Sequence, residues 1–177
     1  MAKQQIVKDL MNGRFILSRQ PYFEELKKNE VEFYIPFFQI SFGYKLIITQ
    51  EYAYFILEET DENISRGISI FFAIFCYETD KEGKNFLDGL QYSEHSFEDI
   101  NTLFKNSFFI YLIQTNKQIK DTDARRRLLF DTMNKKNIIE KISDDKFYFT
   151  TAYKVLIDLA KELAATKASE GNIEKVE

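Results

Sequence analysis

Twice along this chain a helix-forming stretch runs into a pair of short β-rich runs, and that repeated order limits the fold more than any other feature. The first pair lies in YKLIITQEYAYFIL, residues 44–57, where Thr49-Gln50-Glu51 separates two apolar runs. The second lies in KNIIEKISDDKFYFT, residues 136–150, around Ser143-Asp144-Asp145. Apolar, β-rich runs flanking a short polar break read as hairpins.

What precedes each hairpin is helical. Lys3–Asn12 sets Ile6, Val7, Leu10 and Met11 at helical spacing, with Gly13 where a left-handed C-cap residue belongs. Phe15-Ile16-Leu17 reads as a very short strand. Pro21 suits the first turn of a second helix reaching about Lys28, with Tyr22, Phe23 and Leu26 on one face, and Pro36 suits the start of a third ending near Phe42, before Gly43. Helix, short strand, helix, helix, hairpin is the winged-helix pattern, whose third helix usually reads the DNA groove and whose hairpin is the wing.

A long helix follows from Ile64 to about Lys81, apolar nearly all round at ISIFFAIF and expected between layers. Gly83–Ser96, with two glycines and little periodicity, reads as a linker. Beyond it Ser96 can cap a helix over 97–105, 108–112 is a strand or short helix, and Asp121-Thr122-Asp123 caps a helix that runs through Lys136 into the second hairpin. A last helix spans Tyr153 to about Ala165. The second half repeats the first in element order and not in residues. The expected fold is mainly α with small β-hairpins, an α+β protein of tandem winged-helix domains. Residues 1–82 form the first with its long linking helix, 83–96 the linker, 97–166 the second domain and 167–177 a disordered tail.

Composition permits this. Of 177 residues 45% are hydrophobic and 16% aromatic, enough for a packed core, while six Gly and two Pro leave few helix breakers. The longest apolar run, Ile68–Tyr77, is about half the roughly 20 residues that cross a bilayer, so no membrane span is expected. MAKQQIVKDL lacks a secretory signal pattern and the single Cys76 sits in the apolar run, which places the protein in a reducing compartment, most simply the cytoplasm.

Chemistry-bearing residues are sparse. Asp144-Asp145-Lys146 spells the acidic-x-Lys of a metal-dependent nuclease, but the acids have turn composition and the upstream partner Asp131 sits on a helix. His95, the only histidine, reads as solvated surface beside Glu94, Glu98 and Asp99. Cys76 has no paired histidine, and no glycine-rich phosphate loop exists. No catalytic, metal or cofactor residue is assigned, and the chain is expected to be a binding or assembly protein and not an enzyme.

Net charge is −4, yet residues 121–154 carry eight basic and six acidic groups, the one basic segment. There Ala124, Leu128, Leu129 and Met133 define an apolar stripe near Arg125, so that Arg126 and Arg127 fall outward with Asn134. Arg126 and Arg127 are either phosphate contacts or a solvated face balanced by Asp123 and Asp131. With Lys135, Lys136, Lys141 and Lys146 they form the candidate DNA-phosphate set, for weak binding indifferent to base sequence. In the first half Phe33, Tyr34, Phe37, Phe38, Phe42, Tyr44, Tyr52 and Tyr54 are more aromatic groups than a domain of roughly 75 residues easily buries alone. They are the candidate protein interface, and a homodimer is expected.

The stretch LMNGRFILSRQPYFEELKKNEVEFYIPFFQISFGYKLIITQEYAYFIL resembles the opening winged helix of the MukE/MksE-type accessory subunits of bacterial condensins, tandem winged-helix proteins that bind kleisins. The shared features are Gly-Arg-Phe after the first helix, Tyr-Phe-x-x-Leu in the second, an aromatic third helix closing in Phe-Gly-Tyr, and a wing ending in Tyr-Phe-x-Leu. The resemblance is strongest over residues 6–77 and extends, by element order and DARRRLLFDTMNKKNIIEKI, over 95–165. It implies a non-enzymatic, nucleoid-associated subunit that dimerises, grips a kleisin and through it helps an SMC-type ATPase in DNA organisation, chromosome segregation or plasmid defence. The alternative is a winged-helix transcription regulator acting on operator DNA. The acidic balance opposes it, as does PFFQISFG, which offers only Gln39 to base edges.

Overall fold

The computed structural model describes residues 2–56 and 62–158, and it is mainly helical with two small antiparallel sheets. The expected tail and the end of the last expected helix lie outside the described residues.

In the first half, α1 (Ala2–Met11) ends at Gly13, whose φ of 66° is open to a residue without Cβ. β1 (Ile16–Leu17) and α2 (Phe23–Lys28) follow. The third helix starts earlier than Pro36 suggests. A π-helical stretch, Glu30–Tyr34, runs directly into α3 (Ile35–Phe42). Proline donates no N–H and crowds the carbonyl four residues back, so a change of register just before Pro36 accommodates it. Gly43, at φ 71°, closes α3 by donating to the carbonyl of Gln39. The hairpin of β2 (Lys45–Ile48) and β3 (Tyr52–Ile56) turns on Thr49, whose hydroxyl accepts from the Glu51 and Tyr52 amides. β3 lies between β1 and β2. Ile6, Leu10, Ile16, Phe23, Leu26, Tyr34, Phe38, Leu46, Ala53 and Phe55 make the first core.

The long helix α4 (Glu62–Lys81) belongs by its packing to the second half: Ile68, Phe71, Phe72, Ile74 and Phe75 join the other large core. It is one-sided, with Ser69, Ala73, Tyr77 and Asp80 exposed, and not buried all round. The stretch read as a linker carries α5 (Phe86–Tyr92), capped by the Asn85 side chain on the Leu87 amide, and β4 (Glu94–Ser96). α6 (Phe97–Lys105), capped by Ser96, and α7 (Ile110–Thr115) follow, so 108–112 is helical where it is regular. α8 (Thr122–Arg126) is capped by Asp121 and continues as a π-helical stretch, Arg127–Met133. β5 (Ile139–Lys141) and β6 (Lys146–Phe149) form the second hairpin, and β4 adds to β6 on its other side. Residues 153–158 are helical.

Buried polar groups brace this half. Glu78 accepts from the Ser107 hydroxyl at 2.6 Å and the Phe108 amide at 2.9 Å, fixing the end of α4 to the approach to α7. Burial raises its carboxyl pKa, but those bonds and Lys81 outweigh that and hold it below the usual range. Gly67 meets Gln118 so closely that an added Cβ would lie 2.6 Å from the Gln118 Cβ. Alanine in a helix normally gains about 1 kcal/mol over glycine. Here overpacking, worth about 1–3 kcal/mol, decides the sign. Gly67→Ala is expected to lower the denaturation midpoint, and a raised midpoint would contradict the contact.

Two halves meet through a small apolar cluster of Leu17, Tyr52 and Ala152 with Phe15, Tyr54 and Val155 around it. Asn137, at φ 60°, is the clasp. Its amide donates to the Phe15 carbonyl at 2.6 Å and its Oδ1 accepts from Arg14 at 3.0 Å, while the Phe15 amide donates to the Lys136 carbonyl. Asparagine tolerates this left-handed conformation better than most residues. Ion pairs Arg19–Glu140 and Lys154–Glu51 add to the junction.

His95 is not a solvated surface group. Its ring is half-buried among Phe75, Phe147 and Phe149, and Nε2 donates to the Gly89 carbonyl at 2.8 Å. Pairing of β4 with β6, which residue spacing within β4 does not reveal, carries it there. Burial lowers its pKa below the ordinary 6.5, against the opposing pull of the Gly89 bond and Asp99. Below about pH 6.5 the unfolded chain therefore takes up a proton more readily than the folded one, so stability is lost as pH falls. Denaturation midpoints between pH 7.5 and 5.5 are expected to fall less in His95→Gln, which keeps a donor without titrating. Equal slopes in the two proteins would unlink His95 from the acid response.

Candidate functional site

The helix of α8 and its π-helical continuation sorts the arginine triplet as its periodicity predicts. Ala124, Leu128, Leu129 and Met133 are buried, and Arg126 and Arg127 are exposed. Arg125 is buried at 3% exposure and donates to the side chain of Asn101 and, at 2.7 Å, to the Ile119 carbonyl. It is therefore structural.

Arg126 faces out but is engaged. Its guanidinium stacks over Phe97 at 4.4 Å, donates to the Asp144 carbonyl at 2.9 Å and pairs with Asp145 at 3.5 Å, which ties the helix to the hairpin turn. Lys141 pairs with Asp144 at 2.7 Å and Lys146 with Glu94 at 2.6 Å. Those bonds hold the Asp144 carboxyl below, and the Lys146 ammonium above, their ordinary pKa values. Lys136 lies near Gly13. Among the described residues Arg127, Lys135 and Lys136 make no ion pair. A shallow depression of about 320 Å³ joins Arg126, Arg127 and Lys141 with Asp123 and Asp131. The hairpin end is thus mixed in charge, its cations interspersed with carboxylates.

Asp144 and Asp145 sit in the turn between β5 and β6, and Asp131 lies on the helix. Among the described residues no three His, Cys, Asp or Glu side chains are grouped to hold a metal ion. Burial pushes the Cys76 thiol up to about 11, so it is not a thiolate at neutral pH. No helix among the described residues is long and apolar enough to cross a membrane.

The eight aromatic candidates of the first half divide. Tyr34 and Phe38 are wholly buried and Tyr52 nearly so, because the first core and the junction consume them. Tyr54 is half-buried and stacks on Phe15 at 5.1 Å in the junction. Phe33, Phe37, Phe42 and Tyr44 form a chain of ring contacts on the outer side, with Phe33 on Phe37 at 5.5 Å and Phe42 on Tyr44 at 5.9 Å. Ile40, not among the candidates, lies on the Phe33 and Phe37 face at 85% exposure, and Val31 is exposed at 70%. Ile40 was legible, since Phe33, Phe37 and Ile40 recur at i, i+4 and i+7. Among exposed side chains of α3, Gln39 and Ser41 alone are polar, and none is basic.

A family model described as condensin complex protein MksE matches residues 2–161. No curated protein matches the chain.

Proposed function

Because the chain belongs to the family of the condensin complex protein MksE, we propose that it is the non-enzymatic accessory subunit of an SMC-kleisin complex, a homodimer that grips the kleisin. On this reading its two helix-and-sheet units are tandem winged-helix domains. The observation that carries it is the outer strip of α3 and the π-helical stretch before it, where Phe33, Phe37, Ile40 and Phe42 occupy the place a groove-reading helix would fill with Arg, Lys, Asn or Gln. An exposed apolar strip favours protein over DNA, and so opposes the operator-binding alternative.

DNA contact is then secondary and electrostatic, from Arg126, Arg127, Lys135, Lys136, Lys141 and Lys146, in a cytoplasmic, nucleoid-associated assembly serving chromosome maintenance or plasmid defence. Co-expression with a kleisin and an SMC-type subunit from the same genome is expected to yield a complex stable to moderate salt. Changing Arg126, Arg127 and Lys146 to Glu is expected to lower the complex's DNA retention and flatten its salt dependence while sparing assembly. Specific, nanomolar binding of the isolated chain to one duplex, with no co-purifying subunit, would instead favour the regulator.

A further inference from the structure

A second apolar surface lies on the other half of the molecule. Along α4 the exposed Ala73 sits between Ile70 and Tyr77, three and four residues away, and α7 with its preceding turn supplies Leu112 and Phe109 opposite. These groups, with Ile74, line an open depression of about 280 Å³. The Tyr77 and Phe109 rings meet edge to face at 4.9 Å at one end. At the other, Ile70 and Leu112 also border a second depression of about 470 Å³, whose cations are Arg66 and Lys117. The two therefore form one groove, apolar at one end and basic at the other. Among the described residues no carboxylate lines either part, and neither Arg66 nor Lys117 has an ion-pair partner.

We propose that this groove seats an amphipathic helix of a partner protein, apolar along one face and acidic at one end. A small residue between two larger ones at helical spacing is the notch into which the ridge of a second helix packs, and anchors at i, i+3 or i+4 and i+7 match its length. Charge selects the occupant. Among the described residues Arg66 and Lys117 stand unpaired, in a chain of net charge −4, so an acidic helix end complements this face. A second copy docked groove to groove brings no carboxylate from the matching surface. Lodging here is separate from the α3 strip and does not require the kleisin reading.

The test is a display library of helices of about 14 residues, with large apolar residues at groove spacing and variable charges at each end, selected against the full chain. Helices with acidic ends are expected to be enriched. Their binding should weaken about tenfold or more in Ala73→Glu, which blocks the notch at an exposed position, and the charge preference should reverse in the double variant Arg66→Glu, Lys117→Glu. Unchanged melting of the variants shows that the fold is intact. Enrichment indifferent to end charge, or binding unaffected by Ala73→Glu, overturns the proposal. So does a dimer that Ala73→Glu converts to monomer in sedimentation, which would assign the groove to a second copy.

Discussion

Replacing Phe38 with alanine is expected to cost about 3–5 kcal/mol, a large part of the ~5–15 kcal/mol that holds a typical domain folded. Phe38 is fully buried in the first core, its ring edge to face with Phe55 at 4.6 Å and with Phe37 at 5.0 Å. Truncation removes those contacts and leaves a void between α3 and the hairpin, where β3 is held on both sides and has little freedom to collapse. Urea denaturation should report it as a lowered midpoint. Phe33→Ala on the same helical segment should cost about 1 kcal/mol or less, because its ring is already 38% exposed. Equal losses at the two positions would mean that the burial pattern of this helix is not the one described.

The second large effect is on assembly. Ile40→Glu combined with Phe42→Glu places two charges on the outer strip, at side chains 85% and 45% exposed, so stability should move by about 1 kcal/mol or less. If the strip is the partner face, affinity for the kleisin should fall about 30-fold or more, the equivalent of losing one 2 kcal/mol hot spot. Calorimetric titration reads affinity and sedimentation reads the dimer separately. Binding that survives both charges removes the strip from the kleisin interface. A dimer that falls apart while kleisin affinity holds would make it the homodimer contact.

Both predictions turn on a distinction within one short helix that composition could not make. Eight aromatics were candidate interface residues because they are too many for one small core. The structure spends Tyr34 and Phe38 on the core and Tyr52 and Tyr54 on the junction between halves, packs Phe37 and Tyr44 half-buried against the first core, and leaves Phe33 and Phe42 exposed. The basic set divides similarly: among the described residues Arg126, Lys141 and Lys146 pair with carboxylates, and Arg127, Lys135 and Lys136 make no ion pair. Asp145 lies 19 positions from Arg126, and Glu94 lies 52 from Lys146. Nothing in either neighbourhood announces the pairing.

What the sequence determined by itself is what neighbours within a turn or two decide. The order of helices and hairpins, the positive-φ caps at Gly13 and Gly43, the side-chain caps at Ser96 and Asp121, and the inward Arg125 beside outward Arg126 and Arg127 all follow from spacings of one to five residues. Only the tertiary structure decided that α4 serves the second core, that the glycine-bearing stretch supplies a helix and a strand, and that His95 lies among aromatic rings. It alone joined Asn137 to Phe15 across 122 positions. The reason is physical: periodicity records which face of an element seeks an apolar neighbour, but any apolar face satisfies that demand equally, so the choice of neighbour is made by the packing of the whole chain.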